Sequence, residues 1–182
     1  MMLTLAYTMH RGKVCRQQQD CILIDGAIHQ VYGAASTLAV AHVRGQHSAI
    51  LNVGDSRVYQ VNREGRWRRL SKDHTALQGM IDRGEALPDA EYPSVYGMLE
   101  HVLCADPEEN DFAIYRVLAT LEPGDTLVLC SDGIHDEIGE KMLWELFDAG
   151  LDVAAQTKVW RDAVWKCGAK DSLSLVVVRV ET

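Results

Sequence analysis

The sequence predicts an α+β fold in which sheets pack on one another with helices outside. Three observations carry this. The larger, N-terminal part of the chain reads as short β-rich runs broken at glycines. Two stretches near the end repeat apolar residues at helical spacing. Leu173–Val180 is almost continuously apolar, as expected of a strand buried on both faces. At 182 residues the chain suits one domain, 1–182, with a sizeable core.

Residues 1–13 are apolar with no positive region before them, and read as a strand rather than a signal peptide. Residues 22–31 carry two short apolar stretches around Asp25-Gly26, a hairpin pattern. Residues 37–43, 48–53 and Arg57–Val61 follow as strands, separated by Gly45 and Gly54. Residues 62–65 turn the chain into another run over 66–70, and 127–130 form a further strand. A helix is predicted over 140–149, with Met142, Leu143, Leu146 and Phe147 on one face and Gly150 as its C-cap. Asp152 then caps a second helix, whose Val153, Val159, Trp160, Val164 and Trp165 form an apolar stripe. These tryptophans read as core.

Apolar residues make up 47% of the chain and charged residues 24%, the mixture of a folded soluble protein. A net charge of −8 argues against nucleic-acid and anionic-membrane partners, which are bound through basic surface. It leaves phosphorylated substrates open, because a bound metal supplies local positive charge. No apolar run approaches the ~20 residues needed to cross a bilayer, so a cytoplasmic location is expected. The five cysteines form no CxxC pair and read as small thiols in a reducing compartment.

Chemistry gathers at aspartates near strand ends. Asp55 lies in Asn52-Val53-Gly54-Asp55-Ser56-Arg57, and Asp132 and Asp136 in Ser131-Asp132-Gly133-Ile134-His135-Asp136. Asp171 precedes the last strand, and Asp20 opens an early one. Carboxylates converging above a sheet edge are preferred ligands of magnesium or manganese. Two such ions about 3.5–4 Å apart activate a water for attack on phosphorus. Taken singly, each aspartate reads more readily as a turn former.

Taken in order, the motifs resemble the bacterial form of the metal-dependent Ser/Thr protein phosphatases of type 2C. The resemblance rests on Gly33-Ala34-Ala35-Ser36-Thr37-Leu38, on Asn52 to Tyr59, and on Leu70-Ser71-Lys72-Asp73-His74-Thr75. It continues through Gly124-Asp125-Thr126-Leu127-Val128-Leu129-Cys130-Ser131-Asp132-Gly133 with Asp136, and closes at Lys170-Asp171-Ser172 with its apolar strand. It implies an αββα sandwich of two antiparallel sheets with metals in a cleft at one end. It also implies a phosphorylated protein as substrate and Mn2+ or Mg2+ as cofactor: two ions, three if the site is complete. By position, Asp132 and Asp171 hold the central pair, Asp55 and Asp136 serve a third ion, and Asp20 holds metal-bound water. The attacking group is then metal-activated water, and Ser56, Ser131 and Ser172 are turn residues.

The sequence departs from the family pattern in its early part. The D-G-x-G-G-H segment and the helical pair after it are missing, since Gln30-Val31-Tyr32 runs straight into Gly33. Asp25, with His29 behind it, is the local substitute, but an extended run puts it about 16 Å from Asp20. The family's phosphate-binding arginine falls at Cys15. Arg16 is the candidate one residue later, on the other face if the segment is a regular strand. His29 and His135 are the first candidates for a general acid. With one helical pair reduced or missing, an apolar sheet face is expected to need cover from a homodimer mate or a partner. The alternative to an active phosphatase is a catalytically silent binding or regulatory module, or an internally deleted form.

Overall fold

The computed structural model describes residues 2–10, 12–14, 35–88, 90–104 and 112–181. The hairpin expected over 22–31, and the calls on Cys15, Arg16, Asp20, Asp25, His29 and Gly33, lie outside the described residues. In chain order the elements are β1 (Leu3–His10), β2 (Ala35–Ser36), β3 (Leu38–Arg44), β4 (His47–Val53), β5 (Arg57–Val61), β6 (Trp67–Arg69) and α1 (Ala76–Asp82). A 3-10 turn (Ser94–Gly97) follows, then β7 (Leu103–Cys104), β8 (Tyr115–Thr120), β9 (Thr126–Cys130), α2 (Asp132–Glu145), α3 (Val153–Cys167) and β10 (Leu173–Val180).

One sheet runs β1-β10-β9-β5-β6 and a second β3-β4-β8, both antiparallel, while β2 and β7 pair separately. Side-chain alternation explains how they stack. Val58 and Leu127 turn inward to meet Ile50, Ala119 and Leu121, which closes the layer between the sheets. Tyr59, Val61, Val128 and Cys130 point the other way, onto Leu143, Trp160 and Val164 of α2 and α3. Burial of each such apolar side chain contributes about 1.5–3 kcal/mol. The continuous apolar run of β10 follows from serving both layers. Leu173, Leu175 and Val177 join the helix-side cluster, and Val178 and Val180 the inter-sheet one.

Asp152 caps α3 as expected, its carboxylate accepting from the Ala155 N–H at 2.7 Å. Trp160 is fully buried and donates from Nε1 to the Leu143 carbonyl at 2.9 Å, tying α3 to α2. Trp165 departs from the expected core stripe and is 40% exposed. The buried side of α3 follows Val153, Gln156, Trp160 and Val164, and Trp165 falls one position round the helix.

The helix expected over 140–149 is different in extent. It starts at Asp132, bends at Gly139 (φ 73°), and ends at Glu145 with Leu146, not Gly150, as C-cap. Gln156 sets that end. Its buried amide donates to the Leu146 carbonyl at 3.0 Å and accepts from the Asp148 N–H at 2.8 Å, taking over backbone groups a further turn would have used. The bend at Gly139 also explains why apolar periodicity began only at Glu140.

The described helices α2 and α3 lie on the outer side of the five-stranded sheet. On the outward face of β3-β4-β8, Leu118 is 82% exposed and Leu38 37% exposed. Strand β8 and helix α1 were not anticipated. Among the described residues, no helix is long and apolar enough to cross a membrane.

Candidate metal centre

Asp55 sits in the turn from β4 to β5. Gly54 adopts φ 89° there, and a Cβ on it would stand 2.4 Å from the Thr37 side chain, so only glycine fits. The segment 70–75 braces this turn. Asn52 donates to the Lys72 carbonyl at 2.8 Å, the His74 N–H donates to the Gly54 carbonyl at 3.0 Å, and His74 Nδ1 accepts from the Gly54 N–H at 3.2 Å. Ser56 shares a 2.8 Å hydrogen bond with Thr37, in keeping with a turn role.

Asp132 opens α2 immediately after β9, and its Oδ1 accepts from the Gly133 N–H at 2.8 Å. Asp171 lies just before β10, its Oδ1 accepting from the Ser172 N–H at 2.6 Å. Two glycines allow the neighbouring chains to close on this point. A Cβ on Gly133 would meet the Ser172 carbonyl oxygen at 1.9 Å, and one on Gly12 (φ 73°) the Asp171 carbonyl oxygen at 2.1 Å. Asp136 lies on α2 rather than in a turn, one helical turn beyond Asp132.

The charges register this gathering. Burial, then the negative charges of Asp55 and Asp171, push the Asp132 carboxyl up to about 6. Burial also raises Asp55, against the opposing influence of His135. Asp136 goes the other way, held down by its hydrogen bond from His135. Asp55 and Asp171 are therefore each within electrostatic reach of Asp132, while Asp136 is turned to His135. Asp20 and Arg16 lie outside the described residues. Among the described residues, no three His, Cys, Asp or Glu side chains stand at metal-coordinating geometry.

The chemistry of the set nonetheless fits a hard divalent cation. Part-buried and exposed carboxylates that repel one another offer the ligand type magnesium and manganese prefer, and a cation removes the repulsion.

Two features escaped the sequence reading. His135 was a candidate general acid, but it is buried with both ring nitrogens engaged: Nδ1 on Asp136 Oδ1 at 2.8 Å and Nε2 on the Asp55 backbone carbonyl at 3.1 Å. Arg57 is the centre of a part-buried ionic network. It donates to Asp73 through Nε and Nη2 and to Glu140 through Nη1 at 3.1 Å, and the Tyr59 hydroxyl donates to Glu140 at 2.7 Å. Arg57 and Asp73 both stood in recognised motifs, and only their contact was hidden.

Residues 14–173 match the family model described as protein phosphatase 2C. The chain belongs to that family. It is 25% identical over 149 residues to the serine/threonine protein phosphatase PstP of Mycobacterium tuberculosis, covering 81% of this chain and 28% of that one. It is likewise 25% identical over 146 residues to the serine/threonine phosphatase stp of Listeria innocua, covering 80% and 57% respectively. The chain thus spans well under two-thirds of either relative's length. The crystal structure of the M. tuberculosis phosphatase PstP/Ppp superposes with a TM-score of 0.81 at 17% identity, covering 100% of both chains. The PstP catalytic domain in complex with two manganese ions gives 0.77 at 18% identity over 99% of each chain. PppA of Pseudomonas aeruginosa gives 0.79 at 18% over 98% of each. These structures share the protein phosphatase 2C fold with this chain.

Proposed function

We propose that the chain, as one type 2C-like domain over 1–182, is a metal-dependent protein serine/threonine phosphatase acting in the cytoplasm on phosphoserine or phosphothreonine. The observation that carries this is the position of Asp132. It opens α2 at the end of β9, and its carboxyl is raised by burial first and then by the charges of Asp55 and Asp171. Family membership and the manganese-bound PstP relative support the same reading.

In this reading Asp132 and Asp171 hold the central Mn2+ or Mg2+ pair, and Asp55 and Asp136 hold a third ion. Asp20 orients water, and Arg16 binds the substrate phosphate. When bound, the metal lowers the pKa of a water and polarises a phosphoryl oxygen. The chain's part is to keep its carboxylates ionised, fixed and facing one point, with α2 and β10 closed on each other at Gly133. A homodimer mate or partner over the outer face of β3-β4-β8 belongs to the same reading, supported by the exposure of Leu118, and the solution mass tests it.

The test of activity is hydrolysis of a chromogenic aryl phosphate with manganese and then with chelator, alongside Asp132→Asn. Manganese-dependent turnover lost in the variant is the expected result. A folded wild-type protein without turnover leaves the silent binding module instead.

A further inference from the structure

Two separate pins hold the carboxylates together. The first is a backbone contact, the seat of Gly133 against the Ser172 carbonyl, which registers Asp132 beside Asp171. The second is a side chain. His135 is 2% exposed and spans 80 residues of sequence to reach the Asp55 carbonyl with Nε2 at 3.1 Å, while its Nδ1 lies 2.8 Å from Asp136 Oδ1.

We propose that His135 is a positioning residue for the divalent cation, holding the Asp55 turn against α2 so that Asp55 and Asp136 present their carboxylates to one ion. This deepens the metal-binding reading above and rests on it. Each ring nitrogen lies within hydrogen-bond distance of an acceptor, and the single N–H of the neutral ring satisfies one of the two while the ring stays packed between both. Asp136 is 74% exposed at its side chain, and an untethered carboxylate there would spend its time among several rotamers. The hydrogen bond uses Oδ1 and leaves the carboxylate a second oxygen for a ligand. The same ring lies against the backbone carbonyl of Asp55, so one side chain ties the Asp136 carboxylate and the Asp55 turn together. Outer partners of this kind orient metal ligands, and their removal weakens metal binding by about 10–100-fold.

The alternative is a buried histidine that merely fills space. Conservative amides separate the two. Asn places an N–H near the position of Nδ1 and keeps the Asp136 arm, and Gln places one near Nε2 and keeps the Asp55 arm. The experiment titrates Mn2+ into chelator-treated wild type, His135→Ala, His135→Asn and His135→Gln by calorimetry, with circular dichroism of each to check folding. Expected is a Kd for Mn2+ raised by about 10–100-fold in His135→Ala and by less in the two amides. A folded His135→Ala that binds Mn2+ as the wild type does overturns the proposal. Should His135→Ala not fold, the amides decide: wild-type affinity in both overturns it, and weakened affinity in both supports it. Wild-type protein that binds no Mn2+ overturns it together with the metal reading. Wild-type protein that binds Mn2+ but hydrolyses no aryl phosphate removes only the phosphatase reading, and the ranking of the variants still decides the role of His135.

Discussion

Arg57 grips Asp73 from two nitrogens, with Nη2 at 2.6 Å from Oδ2 and Nε at 3.2 and 3.1 Å from Oδ1 and Oδ2. The pair joins the start of β5, two residues after Asp55, to the segment that braces the Asp55 turn. Asp73 is 8% exposed at its side chain, and the charge of Arg57 is what makes a carboxylate tolerable there.

Arg57→Ala leaves the buried Asp73 only the more distant Arg69, at 3.6 Å, and the expected loss of stability is about 2–4 kcal/mol. Arg57→Lys keeps the charge but not the fork, and an intermediate loss is expected. Urea unfolding of the three proteins checks the order. A loss below about 1 kcal/mol in Arg57→Ala would show that the network is dispensable.

The second prediction concerns pH. Asp132 binds its proton more tightly when folded, at about 6, than at its ordinary 3.8. Its contribution to stability is thus complete below about 3.8 and is lost as pH rises through about 6. In chelator, wild type and Asp132→Asn are expected to match near pH 4. At pH 7 the variant is expected to be more stable by on the order of 1–3 kcal/mol. Unfolding free energies at the two pH values measure this, and a difference independent of pH contradicts it.

Metal reverses that order. An ion that binds only the folded state raises its melting temperature, by an amount that grows with the logarithm of the ion concentration above Kd. Manganese is expected to raise the melting temperature of the wild type and to leave that of Asp132→Asn nearly unchanged. Equal rises in both would place the ion elsewhere.

A fourth prediction tests the seat of α2. Gly133→Ala drives a methyl group to within 1.9 Å of the Ser172 carbonyl oxygen, and backbone rather than a flexible side chain must move. The expected cost is about 3 kcal/mol, with weakened manganese binding as Asp132 and Asp171 separate. Wild-type stability in this variant would mean that the helix start is not held there.

Much of the fold was legible because apolar alternation and runs are local signals. Arg57–Val61 and Leu173–Val180 were found at their observed bounds. Helix α1 escaped because it is short and buries none of its residues, leaving no stripe to read. Strand β8 escaped because it alternates weakly, with Leu118 turned outward and 82% exposed. The start of α2 was hidden by Ser131-Asp132-Gly133, which looks like a turn. Its glycine is there for the close approach of Ser172, a contact between distant parts of the chain. Asp55, Asp132 and Asp171 were legible as motifs. The grip of His135 on the Asp55 carbonyl was not, because it joins residues 80 apart and depends on the packing of α2 against the β4–β5 turn.

Release of inorganic phosphate from a phosphothreonine peptide tests the central claim most directly, measured with manganese, after chelation and after manganese is restored. The account predicts release that stops with chelator, returns with manganese and is absent from Asp132→Asn. Release that persists in chelator, or that Asp132→Asn retains, would contradict it.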